Sequence, residues 1–414
     1  MSSESEKCAA LPKLRFAEFQ QAAEWKERKI GDFLTESRLP GSKGDIAKKL
    51  TVKLWGNGVF GKNEAIQGSI NTQYFRRNSG QFIYSKLDFL NQAFGIIPPD
   101  LDGYESTVDL PCFDISEGLD PVFLLEYVKR KEFYERLGET ADGSRKARRI
   151  HTETFQSFPI ALPTSPEQKK IADCLSSLDE LIAAQARKVD ALKTHKKGLM
   201  QQLFPREGET QPRLRFPEFR DAAAWEPKAI GQLGEIVTGS TPSTVKSEYY
   251  GGDRHFVSPA DISDNRFIEK TKTTLTELGF LETRPIKANS IFFVCIGSTI
   301  GKIAQNKQEC ATNQQINAVV PSAENSDGFV YYAISGIADK IANIAGKQAV
   351  PIVNKSLFSS VGLSVPNLPE QKRIADCMSS LDETIFTNSQ VLEALKNHKK
   401  GLMQQLFPSL EEEK

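Results

Sequence analysis

Residues 166–205, PEQKKIADCLSSLDELIAAQARKVDALKTHKKGLMQQLFP, return almost intact as residues 369–408, PEQKRIADCMSSLDETIFTNSQVLEALKNHKKGLMQQLFP, with 28 of 40 positions identical. Each copy predicts one long helix. Pro166 and Pro369 suit a first helical turn, where a missing N–H costs nothing, and Glu167 and Glu370 stand beside the positive end of the helix dipole. Pro205 and Pro408 close the copies after basic residues near the C-terminus. Apolar residues at Ile171, Leu175, Leu178, Ile182, Val189, Leu192, Leu199 and Leu203 follow a 4,3 spacing, interrupted by Gln185 and Lys196. Ile374, Met378, Leu381, Ile385, Leu392, Leu395, Leu402 and Leu406 repeat it, interrupted by Asn388 and Lys399. That spacing reads as a coiled-coil seam. Two ordinary core helices are the plainer alternative, but globular helices of this length are rare. Gly198 and Gly401 each weaken a helix by about 1 kcal/mol relative to alanine, which marks them as candidate points of close approach between helices.

A second, shorter repeat frames the first. Residues 12–31 (PKLRFAEFQQAAEWKERKIG) recur as 212–231 (PRLRFPEFRDAAAWEPKAIG), at an offset of 200 against 203 for the helices, so one unit has been duplicated. Phe16, Phe19, Trp25, Ile30 and Gly31 match Phe216, Phe219, Trp225, Ile230 and Gly231. Between these blocks, residues 32–142 and 232–345 share almost nothing: the frame is fixed while the filling differs. The fillings predict short strands within 46–60, 81–97, 104–115, 253–268 and 286–320, which are rich in β-branched and aromatic residues, and shorter helices at 121–137 and 327–342. Each half is therefore expected to be an α+β globule followed by a long helix.

A length of 414 residues is too great for one ordinary domain. Fifty-three basic against 53 acidic side chains give no net charge, which excludes a whole-chain polycation but not local basic patches. The longest apolar stretch, around Ile291 to Ile296, is far below the roughly 20 residues needed to span a bilayer, and the N-terminus is charged, so a cytoplasmic protein is expected. Cys8, Cys112, Cys174, Cys295, Cys310 and Cys377 form no CxxC pair, and His151, His195, His255 and His398 lie far apart. Neither a disulfide framework nor a metal site is expected.

Motifs that look catalytic fail on their surroundings. Gly56-Asn57-Gly58-Val59-Phe60-Gly61 spells GxGxxG after a strand-like TVKLW, yet no good crossover helix follows and no acidic residue stands about 20 positions on to hold a ribose. Gly297-Ser298-Thr299-Ile300-Gly301-Lys302 is one residue short of a P-loop, with Ile303 where a Mg²⁺-binding hydroxyl should be. NPPY- and DPPY-like tetrads, HExxH and GxSxG are missing, and Pro99-Asp100 lacks the acidic-x-Lys element of a nuclease. The chain reads as non-catalytic. Its loops instead carry cations and amides: Lys53, Lys62, Tyr74, Arg76, Arg77 and Lys86 in the first half, joined by Arg145, Lys146, Arg148 and Arg149. The second half offers Thr241, Ser243, Lys246, Tyr249, Tyr250, Arg254, Ser298, Lys302, Asn313, Gln314 and Gln315, with Lys347 and Gln348 in the segment that corresponds to 143–149. Arg and Lys suit phosphates and guanine edges, Asn and Gln suit adenine edges. Any one of these residues is more simply a solvated surface group; their collective placement points to DNA.

The paired PxLRFxEF-to-Trp openings, Gly239-Ser240-Thr241-Pro242 with Tyr249-Tyr250-Gly251-Gly252, Asn313-Gln314-Gln315, and the doubled PEQKxIADC and GLMQQLFP helices together resemble the specificity subunits of type I restriction-modification enzymes, over nearly the whole chain. The resemblance implies an α+β fold with a pseudo-twofold repeat. Its parts would be a target-recognition domain at 11–163, a central helix at 164–205, a second target-recognition domain at 206–366 and a C-terminal helix at 367–408, the helices pairing as an antiparallel coiled coil. It implies a non-catalytic subunit that reads an asymmetric bipartite site in double-stranded DNA. Two methyltransferase subunits would hold S-adenosylmethionine, and two motor-nuclease subunits would use ATP and Mg²⁺. The partner-binding positions it suggests are Gln168, Leu199, Leu203, Phe204, Gln371, Leu402, Leu406 and Phe407. The first half lacks GxTP and resembles another recognition subtype through Gly80-Gln81-Phe82-Ile83-Tyr84-Ser85, so the half-sites should differ. A helix over 166–204 is roughly 58 Å long, or about 17 base pairs of rise, and so could act as a ruler. Two alternatives are a fused methyltransferase or nuclease, which would bind cofactor alone, and a non-DNA coiled-coil scaffold, which would not retain DNA.

Overall fold

Each 40-residue repeat forms one unbroken helix. In the computed structural model, which describes residues 11–62, 68–138, 149–206, 208–344 and 351–409, these helices run Ser165–Leu203 and Leu368–Leu406. Every position of the 4,3 seam, the polar interruptions included, is buried or half-buried, while most positions between are exposed. The chain divides into two compact units, 1–186 with 390–414, and 187–389, so the end of each helix belongs to the unit that does not contain its start.

The first unit contains strands β1 (Lys26–Lys29), β2 (Leu34–Ser37), β3 (Pro40–Lys43), β4 (Leu50–Val52), β5 (Val59–Gly61), β6 (Gln73–Arg76), β7 (Phe82–Tyr84), β8 (Phe94–Ile96), β9 (Glu105–Ser106), β10 (Cys112–Ile115) and β11 (Pro159–Leu162). Helices α1 (Pro121–Val128), α2 (Lys131–Gly138) and α3 (Thr152–Gln156) precede the long helix α4 (Ser165–Leu203). A four-stranded sheet in the order β2-β10-β7-β8 buries Phe82, Tyr84 and Phe113 against Phe123, Tyr127 and Phe155. The β3-β6-β9 strands form a separate small sheet, and the β4–β5 hairpin covers the other face of the four-stranded sheet, packing Leu50, Val52 and Val59 on Ile83 of β7 and Cys112 of β10.

The second unit contains β12 (Glu226–Ala229), β13 (Gly234–Thr238), β14 (Tyr250–Val257), β15 (Phe267–Ile268), β16 (Thr273–Leu275), β17 (Ile291–Val294), β18 (Ile303–Asn306), β19 (Ala311–Thr312), β20 (Ile316–Pro321) and β21 (Gly362–Val365). Its helices are α5 (Ile230–Leu233), α6 (Glu277–Leu281), α7 (Asp327–Gly336), α8 (Ala338–Ile344), α9 (Lys355–Ser360) and the start of α10 (Leu368–Leu406). A five-stranded sheet, β13-β20-β17-β18-β15, forms the body, and β16-β14-β19 flanks it.

Within each unit the two helix segments run antiparallel. In the first, Leu406 and Phe407 share a core with Ile171 and Leu175, while Lys399 reaches back to Asp179 at 2.7 Å. In the second, Leu203 shares a core with Ile374 and Met378, and Lys196 pairs with Asp382. Asp382 and Lys399 are the second-copy counterparts of Asp179 and Lys196, so each unit holds one of two reciprocal ion pairs, and the lysines that interrupt the apolar seam are explained by them.

Two expectations need correction. The helices expected at 121–137 and 327–342 are each broken in two. Arg130 ends α1 by turning its Nε to the Tyr127 carbonyl, and in the second unit Gly336, a poor helix former, ends α7. Gly198 and Gly401 are not points of close approach: a Cβ at either would meet no atom within 4 Å. The two catalytic look-alikes are hairpin turns: Gly56 and Gly58 take φ of 67° and 87° between β4 and β5, and Gly297 and Gly301 take 95° and 94° between β17 and β18.

Candidate nucleic-acid interface

The repeated frame is held by a clamp that each unit builds once. Arg15 grips Glu167 through one edge of its guanidinium, Nε to Oε1 and Nη2 to Oε2, each at 2.7 Å, and also donates to the carbonyls of Ala22 and Ala23. The Trp25 indole N–H donates to the same carboxylate at 3.4 Å. Arg215, Glu370, Trp225, Ala222 and Ala223 repeat every contact. The hydrogen bonds to Glu167 and Glu370 raise the pKa of Arg15 and Arg215. The neighbouring glutamine of each PEQ motif is equally committed. Gln168 accepts from the Asp120 N–H and donates to the Gly118 and Pro163 carbonyls; Gln371 accepts from the Ser326 N–H and donates to the Pro366 carbonyl. Asp120 and Ser326 are the N-caps of α1 and α7, so the start of each long helix is fixed to the globule beside it.

The GLMQQLFP ends are absorbed in the same way, which corrects the expectation that they face a partner. Leu203, Leu406 and Phe407 are buried, and Phe407 packs on Trp25, Phe123 and Tyr127. Phe204 stacks on Phe329 at 5.5 Å and meets Trp225 edge-on. Leu199 and Leu402 lie half-buried against the same cores. The opening segments close over these ends, Leu14 N–H donating to the Gln405 carbonyl and Leu214 N–H to the Gln202 carbonyl, both at 2.9 Å. Gln168, Gln371, Leu203, Leu406 and Phe407 therefore serve their own chain, because a buried amide with all its partners inside has nothing left to offer another protein, whereas Leu199, Phe204 and Leu402 keep part of their surface open.

In the second unit, most of the expected DNA-reading residues gather at one edge of the five-stranded sheet. β13 ends, β20 begins, β17 ends and β18 begins there, since Thr238 pairs with Asn317, Val294 with Ile316 and Phe293 with Ile303. The loops 239–242, 295–302 and 313–315 leave that edge together. Ser240 N–H donates to the Thr312 carbonyl and the Thr241 hydroxyl donates to Gln314 Oε1 at 2.7 Å, tying the GSTP loop to the amide turn. Gly239 is required at this crossing, since a Cβ would lie 2.2 Å from the Asn313 carbonyl oxygen. Asn313 and Gln315 bond to each other twice, through Asn313 Nδ2 to Gln315 Oε1 and Gln315 N–H to Asn313 Oδ1. Gln314 is left exposed at the tip, with Ser298 and Lys302 exposed on the neighbouring turn and Ser243 on the loop after GSTP. Tyr250 supports that loop through its hydroxyl on the Pro242 carbonyl. Lys246 donates to the hydroxyl of Tyr249, whose ring is buried, and Lys302 Nζ reaches the Ile262 carbonyl at 3.0 Å. Arg254 lies over Phe280 and pairs with Glu277 and Glu309, which raises its pKa through the Glu277 hydrogen bond first. The sequence did not single out Arg284, which donates from its backbone to Ser240 Oγ and from its guanidinium to the Thr238 carbonyl beside the same loop.

The first unit spreads its cations over separate elements. Lys62 and Tyr74 line a cleft of about 130 Å³ with Lys49, Thr51 and Thr107. Lys53 is exposed on the β4–β5 hairpin, Arg76 is exposed on β6, and Lys86 is half-buried after β7. Arg77 is a correction. It is 2% exposed, and its guanidinium donates to Ser106 Oγ and the carbonyls of Ser37 and Leu110, a strand-joining post lowered in pKa by burial. Arg145, Lys146, Arg148, Lys347 and Gln348 lie outside the described residues. Among the described residues no group of His, Cys, Asp and Glu could hold a metal ion, and no helix is long and apolar enough to cross a membrane.

Two similar frames around two unlike, loop-rich readers define a two-headed DNA-recognition protein. A family model described as the type I restriction modification DNA specificity domain matches residues 117–194 and 223–397, more than half of the chain, and the chain belongs to that family. It is 24% identical over 357 residues to the HindI specificity subunit of Haemophilus influenzae, covering 70% of this chain and 77% of that one. It is 28% identical over 266 residues to the EcoR124I/EcoR124II specificity subunit of Escherichia coli, covering 61% of each. A solved S subunit of a type I restriction-modification system from M. genitalium shares the fold with a TM-score of 0.63, at 14% identity, over 97% of this chain and 100% of that one. A chain from a structure of complex assembly and conformational transition in the type I system follows at TM-score 0.55, also 14% identical, over 92% and 97%.

Proposed function

We propose that this chain is the sequence-reading subunit of a type I restriction-modification complex, each unit recognising one half of an asymmetric, bipartite DNA site. The carrying observation is that the two units repeat the Arg–Glu–Trp clamp bond for bond while their readers differ in sheet order and loop chemistry. A constant frame with unlike fillings is what two different half-sites require. In the second unit the exposed Gln314 amide and the Ser298–Lys302 turn supply base-edge and phosphate chemistry respectively. Methyl transfer, with S-adenosylmethionine, belongs to two methyltransferase partners; ATP and Mg²⁺ belong to two motor-nuclease partners; the setting is the cytoplasm.

The test is co-expression with a methyltransferase of the same system. The purified chain alone should transfer no methyl group to DNA, and the complex should methylate it and retain it with an affinity that falls as salt rises, because phosphate contacts release counterions. Methyl transfer by the isolated chain would overturn this division of labour, and a complex that never retains DNA would overturn the DNA reading.

A further inference from the structure

The β4–β5 hairpin of the first unit buries Leu50, Val52 and Val59 but leaves three large apolar side chains on the outside. Leu54, Trp55 and Phe60 are exposed, Trp55 to 60% of its surface, whereas the other two tryptophans, Trp25 and Trp225, are 0% and 2% exposed. An indole held in water at a loop tip asks for an explanation, because large apolar surface is normally covered. The backbone sharpens the question. Trp55 stands at φ 60°, a left-handed conformation that a bulky residue adopts rarely, and such outliers persist where the surroundings enforce them. The enforcement is visible: Trp55 N–H donates to the Asn91 carbonyl at 2.7 Å and Gly56 N–H to the Gln92 carbonyl at 2.9 Å, while Asn57 Nδ2 closes the turn on the Leu54 carbonyl. Gln92 is itself left-handed at φ 53°. The tip is thus pinned to the turn below it, and the indole is held outward.

Charge says what this surface meets. From Ala47 to Lys62 the chain carries Lys48, Lys49, Lys53 and Lys62 and no acidic residue. Lys48, Lys53 and Lys62 are exposed, and the stem of Lys129 lies against Gly56. Lys129 is paired with Glu126, but every charged side chain of the hairpin's own stretch is a cation, and an apolar tip on such a stretch is complementary to a polyanion whose interior is apolar, which describes a nucleic-acid duplex and not an average protein surface.

We propose that the β4–β5 hairpin is a DNA wedge: Trp55 inserts against the base pairs of the first half-site, with Leu54 and Phe60 beside it, while Lys53 and Lys62 take the flanking phosphates. This deepens the DNA reading above and rests on it. The pinned tip places the indole before binding, so little ordering is needed on contact. The wedge explains why a residue ill-suited to its backbone angle occupies this turn, and why Gly56-Asn57-Gly58, the look-alike nucleotide motif, is a rigid hairpin end.

The test uses the complex with its methyltransferase and DNA carrying the site that the complex methylates. Trp55→Gly frees the turn from its unfavourable φ, so the variant should unfold no earlier than the wild type, yet its affinity for the DNA should fall about tenfold to a hundredfold, the range of a lost base–aromatic contact. Trp55→Phe should retain part of that affinity. Acrylamide should quench more emission from the wild-type complex than from the Trp55→Phe complex, and DNA should abolish that difference. If the wild-type complex holds DNA but Trp55→Gly holds it equally well, with the indole still open to acrylamide, the wedge is wrong and the DNA reading stands. If the wild-type complex holds no DNA, both fall. Loss of affinity together with a lower melting temperature would make Trp55 structural, and loss of methyltransferase from the purified complex would make the hairpin a protein contact; either result overturns the wedge.

Discussion

Replacing Arg15 by alanine isolates the clamp. The Glu167 side chain is 1% exposed and that of Arg15 10%, so the substitution leaves a covered carboxylate with the Trp25 N–H as its remaining side-chain donor. Stranding one charge of a buried pair costs about 3–5 kcal/mol, and residual water at Arg15 reduces this to about 2–3. For a unit of this size each kcal/mol moves the melting temperature by about 2–4 °C, giving a fall of about 4–12 °C in that unit's transition. The assay is scanning calorimetry of the whole chain, in which Arg15→Ala should lower the transition of the first unit and Arg215→Ala that of the second. The two should add in the double variant because the clamps share no residue. The double change Arg15→Met with Glu167→Leu should recover part of the loss, since it removes the stranded charge and leaves the Trp25 N–H unpaired. A fall below about 2 °C for Arg15→Ala, or no recovery in the apolar pair, would refute the reasoning.

Three further expectations concern the long helices and the carboxylate of α1 that pairs with one of them. Burial pushes the Glu126 carboxyl up, but the Lys129 and Lys399 charges outweigh it and hold its pKa below the ordinary range. Its contribution should therefore be intact above about pH 4.3 and be lost as pH falls through the lowered native value, so Glu126→Gln should flatten the acid limb of the melting-temperature profile, and parallel profiles would contradict this. Burial disfavours the charge on Lys399, yet Glu126 and Asp179 raise its pKa, so its contribution should persist to alkaline pH and be lost only as pH rises through that raised value, an alkaline limb that Lys399→Met should remove. Gly198→Ala and Gly401→Ala should each stabilise the helix by about 1 kcal/mol, read as a rise of about 2–4 °C, since the added methyl meets nothing; a fall would restore the idea of close approach.

The long helices were legible because a 4,3 spacing constrains every position over ten turns, and the duplication doubled the signal. The clamp was not, although Arg15, Trp25 and Glu167 all lie in the repeated blocks: pairing residues 152 positions apart requires the fold. β1, KERK, has no apolar alternation because all four residues are exposed, so only its pairing with β11 makes it a strand. Arg77 was misplaced because a cation satisfied by buried carbonyls and one awaiting phosphate look alike in sequence. The GLMQQLFP ends were misplaced for a similar reason, since an apolar helix end reads identically whether it docks on a partner or on its own chain. The sheet-edge loops of the second unit were legible as polar, turn-forming segments, but their convergence depends on which strand ends the sheet brings together.

The central claim is that each unit reads its own half of the DNA site. The measurement that tests it most directly is methylome sequencing of a host carrying the complete system, with residues 32–142 replaced by the equivalent segment of a relative and both clamps left intact. The account requires one half of the methylated motif to change and the other half to stay as it was. A motif that changes in both halves together, or in neither, would contradict it.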